Sequence, residues 1–290
     1  MISGTSVDHV NQTKGEYFAP NAIAGYYNNL TEKVTKNPIS LESDDLPIST
    51  TEKKEKIYFP VAIFQYGLGL YDLYLKTNAE KYLKKFLICA NWALDNIDEK
   101  GRWNNFFFYT PRTPYGAMAQ GEGVSVLLRA YKETGDDKYL NTAKKAIDFM
   151  ILPLEEGGTT KYENDSAYLM EYTFKGMVLN GAIFAWWGLY DFVTTIKDKG
   201  EYKDILNKTL DSLVKILPQF KCRYWSMYSL DGLIASPFYH NLHVAQMEAM
   251  YELTHITIFN EYASRWRKQQ LNPFCKTLAF IRKASQKIAE

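Results

Sequence analysis

From Tyr58 onward the apolar and polar positions fall into two alternating styles. Phe59 to Lys76 (FPVAIFQYGLGLYDLYLK) is apolar on nearly every face, which predicts a helix buried all round. Asn78 to Asn96 follows with Glu80, Lys81, Lys84 and Lys85 on one face, as in a helix with one side in water. The couplet then recurs. Tyr115 to Glu133 is buried in character, Thr134-Gly135-Asp136 turns, and Asp137 to Met150 is amphipathic. Gly176 to Thr194 (GMVLNGAIFAWWGLYDFVT) is almost wholly apolar, and Lys203 to Leu217 is one-sided until Pro218 stops it. Tyr239 to Leu253 and Thr257 to Gln269 make a fourth pair, and Phe274 to Ala289 closes the chain.

The apolar helices begin near 59, 115, 176 and 239, an interval of about 60 residues that marks a weak repeat of helical hairpins. Helices apolar on all sides suit an inner ring, and one-sided helices suit an outer one. The expected fold is therefore all-α, an (α/α) toroid or incomplete barrel, with a plain helical solenoid as the alternative. Between the pairs lie longer segments. GRWNNFFFYTPRTP (101–114) is aromatic and rich in breakers, and reads as a short strand or hairpin with a loop. Pro153 to Tyr168 reads as a polar loop. KCRYWSMYSLDGL (221–233) alternates aromatic and polar positions and carries the turn signal Asp231-Gly232, so a small β-hairpin is expected there, near the end of the toroid where loops build a pocket. Residues 1–56 are polar and broken, and are read as an extended arm with one short helix near 22–33, or as a solvated tail; 57–290 form the catalytic-type domain.

Composition narrows the function classes. The 290 residues carry 34 Lys and Arg against 33 Asp and Glu, a balance that calls for neither nucleic acid nor an anionic membrane. No stretch is apolar for long enough to span a membrane, and MISGTSVDHV does not read as a signal peptide, so the default compartment is the cytoplasm. Cys89, Cys222 and Cys275 are scattered and make neither a disulfide framework nor a zinc site. The 22 tyrosines outnumber the 16 phenylalanines, which suits a surface that stacks on sugar rings and hydrogen-bonds their hydroxyls.

Motif by motif, several chemistries drop out. His240 and His243 stand three apart on one helical face, without the carboxylate or cysteine company of a metal site, so no metal and no cofactor is expected. There is no phosphate loop, and no GxSxG elbow to start a serine hydrolase. Glu122, Glu171 and Asp231 leave open a pair of carboxylates of the kind glycosidases use. Tyr172, Tyr228 and Tyr239 lie in loops or at loop-to-helix junctions, with Tyr172 beside Glu171 and Tyr239 beside His240; spacing alone leaves them as core, stacking or catalytic residues.

At these residues the chain resembles the C-terminal domain of the D-glucuronyl C5-epimerases. NWALDNIDEKGRW (91–103) is similar to the family's xWLxxNQDExGGW, and YGAMAQGEGVSVLLRAY (115–131) to YSAMAQGxxxSxLxRAY. EYTFKGMVLNGAIFAWWGLYD (171–191) resembles EYPxxxxxxVLNGFxxxLxGLYD with a shorter spacer, and YHNLHVAQMEAMYELT (239–254) resembles YHxxHIxQLxxL. YFPVAIFQYGL (58–68) is similar to the tyrosine-rich start of a family helix. The resemblance runs from about Tyr58 to Arg267 and implies an (α/α) barrel that inverts C5 of glucuronate, giving iduronate, in heparan- or heparosan-type glycosaminoglycans. It places catalytic roles on Glu171, Tyr172, Tyr228 and Tyr239, and a substrate contact on Asn180. His240, Tyr66, Tyr115 and Gln120 are further candidates for the cleft. After Tyr228 the family carries Asp-Leu-Arg where this chain has Ser229-Leu230-Asp231, so the family's substrate-binding arginine has no counterpart there and Arg223 stands as the candidate substitute. The resemblance also implies a homodimer. A uronate polysaccharide lyase, a glycoside hydrolase and a non-catalytic glycan-binding protein remain as alternatives.

Overall fold

A computed structural model describes residues 10–36, 46–51, 53–108 and 113–289. Four helices form the inner row: α2 (Pro60–Thr77), α4 (Ala117–Thr134), α6 (Leu179–Thr195) and α8 (Pro237–Thr254). Each is backed by the next helix in the chain: α3 (Glu80–Asp95), α5 (Asp137–Ile151), α7 (Gly200–Ile216) and α9 (Thr257–Leu271). Neighbouring inner helices pack side by side, α2 on α4, α4 on α6 and α6 on α8. A short α1 (Thr31–Thr35) lies on α2, and α10 (Pro273–Ala289) follows α9. This is the (α/α) toroid that the couplets predict, and its helix ends fall close to the expected ones.

Hydrophobicity sorts the two rings. Trp187, Phe184, Leu189 and Ile183 of α6 point to several sides of the helix and are all buried, so the helix can sit only inside. The α4–α6 contact is especially close. A Cβ on Gly121 would lie 2.5 Å from Ala185 Cα, and one on Gly188 would lie 2.3 Å from Gly121 Cα, so glycine sets the helix separation here.

The β structure differs from expectation. The segment 153–168, read as a loop, contains a true hairpin, β3 (Thr160–Glu163) against β4 (Ser166–Leu169), turned at Asn164 with positive φ. A smaller ladder pairs β1 (Ser49–Thr50) with β2 (Lys56–Ile57). Conversely, 221–235 doubles back through the isolated bridges Lys221–Ser226 and Met227–Ile234 without becoming a ladder. Its Trp225 is spent on packing, buried against His240 with ring centroids 3.6 Å apart. The described part of 101–114 forms no strand; Trp103 is instead buried, its indole N–H donating to the Ala93 carbonyl at 2.9 Å.

Residues 10–36 are not a solvated tail. Tyr26, Tyr27, Asn28 and Leu30 are buried. Lys14 pairs with Glu252 near the end of α8, and Leu30 lies against Gly69 of α2, where its carbonyl leaves no room for a Cβ. Between them the Tyr26 N–H donates to Asp72 of α2 at 2.8 Å, and the Tyr27 hydroxyl donates to Asp191 of α6 at 2.6 Å. Arg129 of α4 pairs with Asp191 at 2.7 Å and donates to the carbonyls of Ala24 and Gly25. The arm thus reaches from the last inner helix to the first, across their C-terminal halves. The helix expected near 22–33 is displaced to Thr31–Thr35, because 22–30 is committed to these contacts.

Candidate active site

The opposite, N-terminal ends of α4, α6 and α8 gather the residues that carry chemistry. Glu171 is wedged between two helix starts. The Ala117 N–H donates to the Met170 carbonyl at 2.8 Å, and the missing side chain of Gly116 leaves room for the Glu171 carbonyl. The missing side chain of Gly181 leaves room for the Glu171 carboxyl, whose Oε2 would lie 2.1 Å from a Cβ there. Glu171 is buried, and Oε2 meets no donor among the described residues. Burial pushes its pKa up to about 7, against the hydrogen bond from Tyr172 and the positive charge of Lys175.

Tyr172 is half-buried and stacks on Phe106, with centroids 4.7 Å apart. Phe174 packs edge-on to it and the Lys175 ammonium lies 5.1 Å from its ring centre. Phe174 is exposed beside this ring, and Phe107 and Phe108, which follow Phe106 in the chain, are exposed and pack edge-on to each other.

Tyr228 comes from the doubled-back segment and is pinned on both sides. Its carbonyl accepts from the Leu179 N–H at the head of α6, and the Asp231 carboxylate accepts from the Gly176 N–H at 2.9 Å. Tyr239 lies in the first turn of α8, which Pro237 starts and the Ser236 hydroxyl caps by accepting from the Tyr239 N–H at 3.3 Å. The two rings meet with centroids 4.7 Å apart, and their hydroxyls are hydrogen-bonded to each other. Burial and the nearby Glu171 raise both phenols, Tyr239 to about 12. Three separated stretches of chain thus bring Glu171, Tyr172, Tyr228 and Tyr239 together, with the Tyr228 and Tyr239 phenols protonated at neutral pH and the Glu171 carboxyl poised near it.

The remaining sequence candidates divide. Asn180 is buried in the first turn of α6, and its Oδ1 meets no donor among the described residues; its backbone carbonyl accepts from Gln246 of α8 at 3.1 Å. Tyr66 is buried in α2. His240 has no nitrogen to offer a ligand. Its Nδ1 accepts from the Ser226 N–H at 3.2 Å and its Nε2 donates to the Trp266 carbonyl at 3.0 Å. Burial lowers it to about 4 and the neighbouring His243 to about 3, so both are neutral, with the Ser226 hydroxyl between their Nδ1 atoms. Gln120 is equally spent: its Oε1 accepts from the Trp103 N–H at 3.1 Å and its Nε2 donates to the Gly101 carbonyl at 2.7 Å, tying the 101–103 segment to α4. Tyr115 faces outward between Arg102, 4.4 Å from its ring centre, and Phe149 of α5. Arg223 is exposed, and its carbonyl is held by Gln269 of α9. The hydrogen bonds and packing of His240, Gln120, Tyr115 and Arg223 run away from the Glu171 and tyrosine group. Sequence order placed them near a loop, but their side chains turn to the outer helices or to solvent. Lys175 and Phe106 were missed. Lys175 carried a usable signal, lying four residues after Glu171 in the same loop.

The sequence pattern of the D-glucuronyl C5-epimerase C-terminus matches residues 96–268, more than half of the chain and the whole of the segment that carries these groups. The chain belongs to that family. Among curated relatives it is 31% identical over 211 residues to an uncharacterized protein of Methanocaldococcus jannaschii, covering 66% of this chain and 68% of the relative. It is 26% identical over 215 residues to the D-glucuronyl C5-epimerase of Caenorhabditis elegans, covering 64% of this chain but only 35% of that enzyme. Of solved structures, the cellobiose 2-epimerase of Spirochaeta thermophila superposes with a TM-score of 0.52 at 10% identity, over 82% of this chain and 65% of that one, a likeness of fold. Membership places the chain among carbohydrate epimerase-type proteins, on an (α/α) scaffold.

Proposed function

We propose that the C5-epimerase-family domain acts on glucuronate residues of a polysaccharide, inverting C5 to give iduronate. The observation that carries this reading is the convergence of Glu171 and Tyr172 with the bonded Tyr228–Tyr239 pair. C5 inversion takes a proton from the carbon α to the carboxylate and returns one to the opposite face. It therefore needs a base and an acid flanking one carbon. Glu171, poised near neutrality, suits the base, acting directly or through the Tyr172 hydroxyl that it accepts from. Tyr239, protonated well above neutral pH, suits the acid, and Tyr228 can hand its own proton on through the hydrogen bond between them. The C5–H electron pair moves into the carboxylate as an enediolate while Glu171 takes the proton. The pair then returns to C5 and takes the proton of Tyr239. Exchange with solvent reloads both groups, so the new C5 hydrogen comes from water.

The enediolate carries an extra negative charge that needs donors already in place. Lys175 is a cation within the field of Glu171, and Asn180, in the first turn of α6, carries a side-chain amide N–H2 of the kind that can donate to the developing charge. The exposed Phe174 beside Tyr172 is an apolar face on which a neighbouring sugar ring of a polymer can stack.

Proton NMR in D2O with unsulfated and N-sulfated glucuronate–glucosamine polymers tests the proposal. Deuterium at C5 together with iduronate signals is expected. Unsaturated uronate signals would mark a lyase, new reducing ends a hydrolase, and unchanged spectra on both polymers would refute the proposed substrate.

A further inference from the structure

Among the described residues ten large apolar side chains are exposed, and five of them lie between Leu271 and Ile288. They belong to the end of α9 and to α10, beyond the 96–268 segment that matches the family. Helix α10 is held to the body along one side. Ala279 is buried there and Cys275 partly so. The Gln286 side chain accepts from the Ile234 N–H at 3.0 Å and donates to the Gly232 carbonyl at 2.9 Å, and Arg282 donates to the same carbonyl at 3.3 Å. Positions 275, 279, 282 and 286 are spaced by three and four, as one helical face requires. Phe274, Ile281 and Ile288 recur at intervals of seven and so form a ridge along another side. They are 70%, 57% and 88% exposed, and Phe280, also exposed, widens the ridge outward. Lys276, Lys283 and Lys287 make a third row, beyond Phe280. A helix docked on one side ordinarily turns polar residues to water, whereas α10 turns phenylalanine and isoleucine there. Charge is just as uneven. Residues 262–289 hold seven of the 34 Lys and Arg and none of the 33 Asp and Glu, which leaves 27 against 33 in the rest of the chain. The near-neutral total hides a basic end on an acidic body.

We propose that α10 is a surface anchor that lays the ridge of Phe274, Ile281 and Ile288 into the headgroup region of an anionic lipid bilayer, with its lysine row on the lipid phosphates. A basic amphipathic helix with Phe and Ile on one face is the pattern that lies in a membrane interface. No described helix is long and apolar enough to cross the bilayer, so the contact is with its surface. Lysine stems lie along the apolar boundary while their ammonium groups reach the phosphates. The acidic remainder of the chain is repelled by the same surface, which favours the orientation with α10 against it. A second copy of the chain fits the ridge less well, because it would set another lysine row beside this one and like charges oppose that pairing. The segment that α10 supports, Gly232 to Ile234, also holds Tyr228, whose N–H donates to the Leu233 carbonyl. Removing the helix would therefore disturb the candidate site, and substitutions at exposed positions are the cleaner test.

Flotation of the full chain with lipid vesicles tests this without any sugar substrate, so it is independent of the proposed reaction. The probes are vesicles of phosphatidylcholine alone and of phosphatidylcholine mixed with phosphatidylserine. Binding to the mixed vesicles is expected, weakening as salt is raised. The triple variant Lys276→Gln, Lys283→Gln and Lys287→Gln should weaken it by about 100-fold, at about fivefold for each lysine lost. The triple variant Phe274→Ser, Ile281→Ser and Ile288→Ser should weaken it by about 100-fold or more with the thermal midpoint unchanged, since these side chains are exposed in the folded chain. Lys203→Gln, Lys208→Gln and Lys215→Gln take the same charge from α7 and should leave binding within about threefold of wild type. No binding, equal binding to both kinds of vesicle, an unaffected serine variant, or equal losses from the two lysine triples overturns the proposal. A dimer in sedimentation velocity that the serine substitutions dissolve, without vesicle binding, assigns the ridge to a second copy and also overturns it.

Discussion

Replacing Arg129 by methionine removes the cation on which the N-terminal arm is hung. In the folded chain the guanidinium is fully buried and pairs with Asp191 at 2.7 Å. It also donates to the carbonyls of Ser125, Ala24 and Gly25 at 2.9, 2.9 and 3.0 Å. Methionine fills much of the volume but serves none of these oxygens. Breaking a buried pair by removing one partner costs about 3–5 kcal/mol, because the remaining charge stays behind without compensation. Among the described residues Asp191 keeps the Tyr27 hydroxyl at 2.6 Å as its side-chain donor, and the arm carbonyls lose the guanidinium. A loss of about 5 kcal/mol is a third or more of what a domain commonly has. At about 2–4 °C per kcal/mol this lowers the thermal midpoint by about 10–20 °C. Urea unfolding followed by tryptophan fluorescence gives the energy, since Trp187 packs on Tyr26 and Tyr27. Limited proteolysis between residues 10 and 30 reports whether the arm has come loose. The paired variant Arg129→Met with Asp191→Leu should recover part of the loss, because it removes the stranded charge as well. A single variant within about 1 kcal/mol of wild type, with the arm still protected, would refute the view that this ion pair anchors it.

Tyr228→Phe and Tyr239→Phe should keep the fold, as judged by circular dichroism, and lose most C5 exchange; wild-type rates in both would remove the tyrosine pair from the chemistry. Gly181→Ala should displace the Glu171 carboxyl, cost about 1–3 kcal/mol through overpacking and lose activity, checked by urea titration and exchange in parallel. Stability should fall as pH rises from about 5 to about 9, because burial raises Asp72 to about 7, Glu171 to about 7 and Glu122 to about 8. Between the ordinary carboxylate range and those values the folded chain holds protons that the unfolded chain has released, so raising the pH favours unfolding. Glu122→Gln removes part of that slope. It should be more stable than wild type at pH 9, by at most about 5 kcal/mol, and near wild type at pH 4; equal thermal midpoints at pH 9 would contradict the burial argument.

Local pattern was sufficient for the scaffold. Whether a helix is apolar on one side or all round is written in its own residues, so the two rings and their alternation could be read before any contact was known. Family likeness supplied the four residues, Glu171-Tyr172 and Tyr239 from recognisable strings and Tyr228 by its place between them although its flank departs from the family. The sequence could not say which neighbouring polar residues turn toward those four. His240 follows Tyr239 directly, yet one helical step rotates the imidazole onto Trp225 and Ser226, away from the cleft. Gln120 lies in the most family-like stretch and serves to hold the Trp103 backbone.

The arm is the clearest case of a decision left to tertiary structure. Residues 10–36 look like a tail because they lack periodicity, and periodicity reports only contacts that repeat along a regular element. Their burial depends on single matches across more than a hundred residues, such as Arg129 to Ala24 and Tyr27 to Asp191. The same holds for Glu122. In sequence it is a lone carboxylate inside a helix, and only the packing of α2 against α4 gives it the Gln65 amide as a partner. Helical identity is a sum of local preferences and can be read one residue at a time. The state of a buried charge depends on which distant groups share its low-dielectric surroundings, and that is fixed only when the chain has folded.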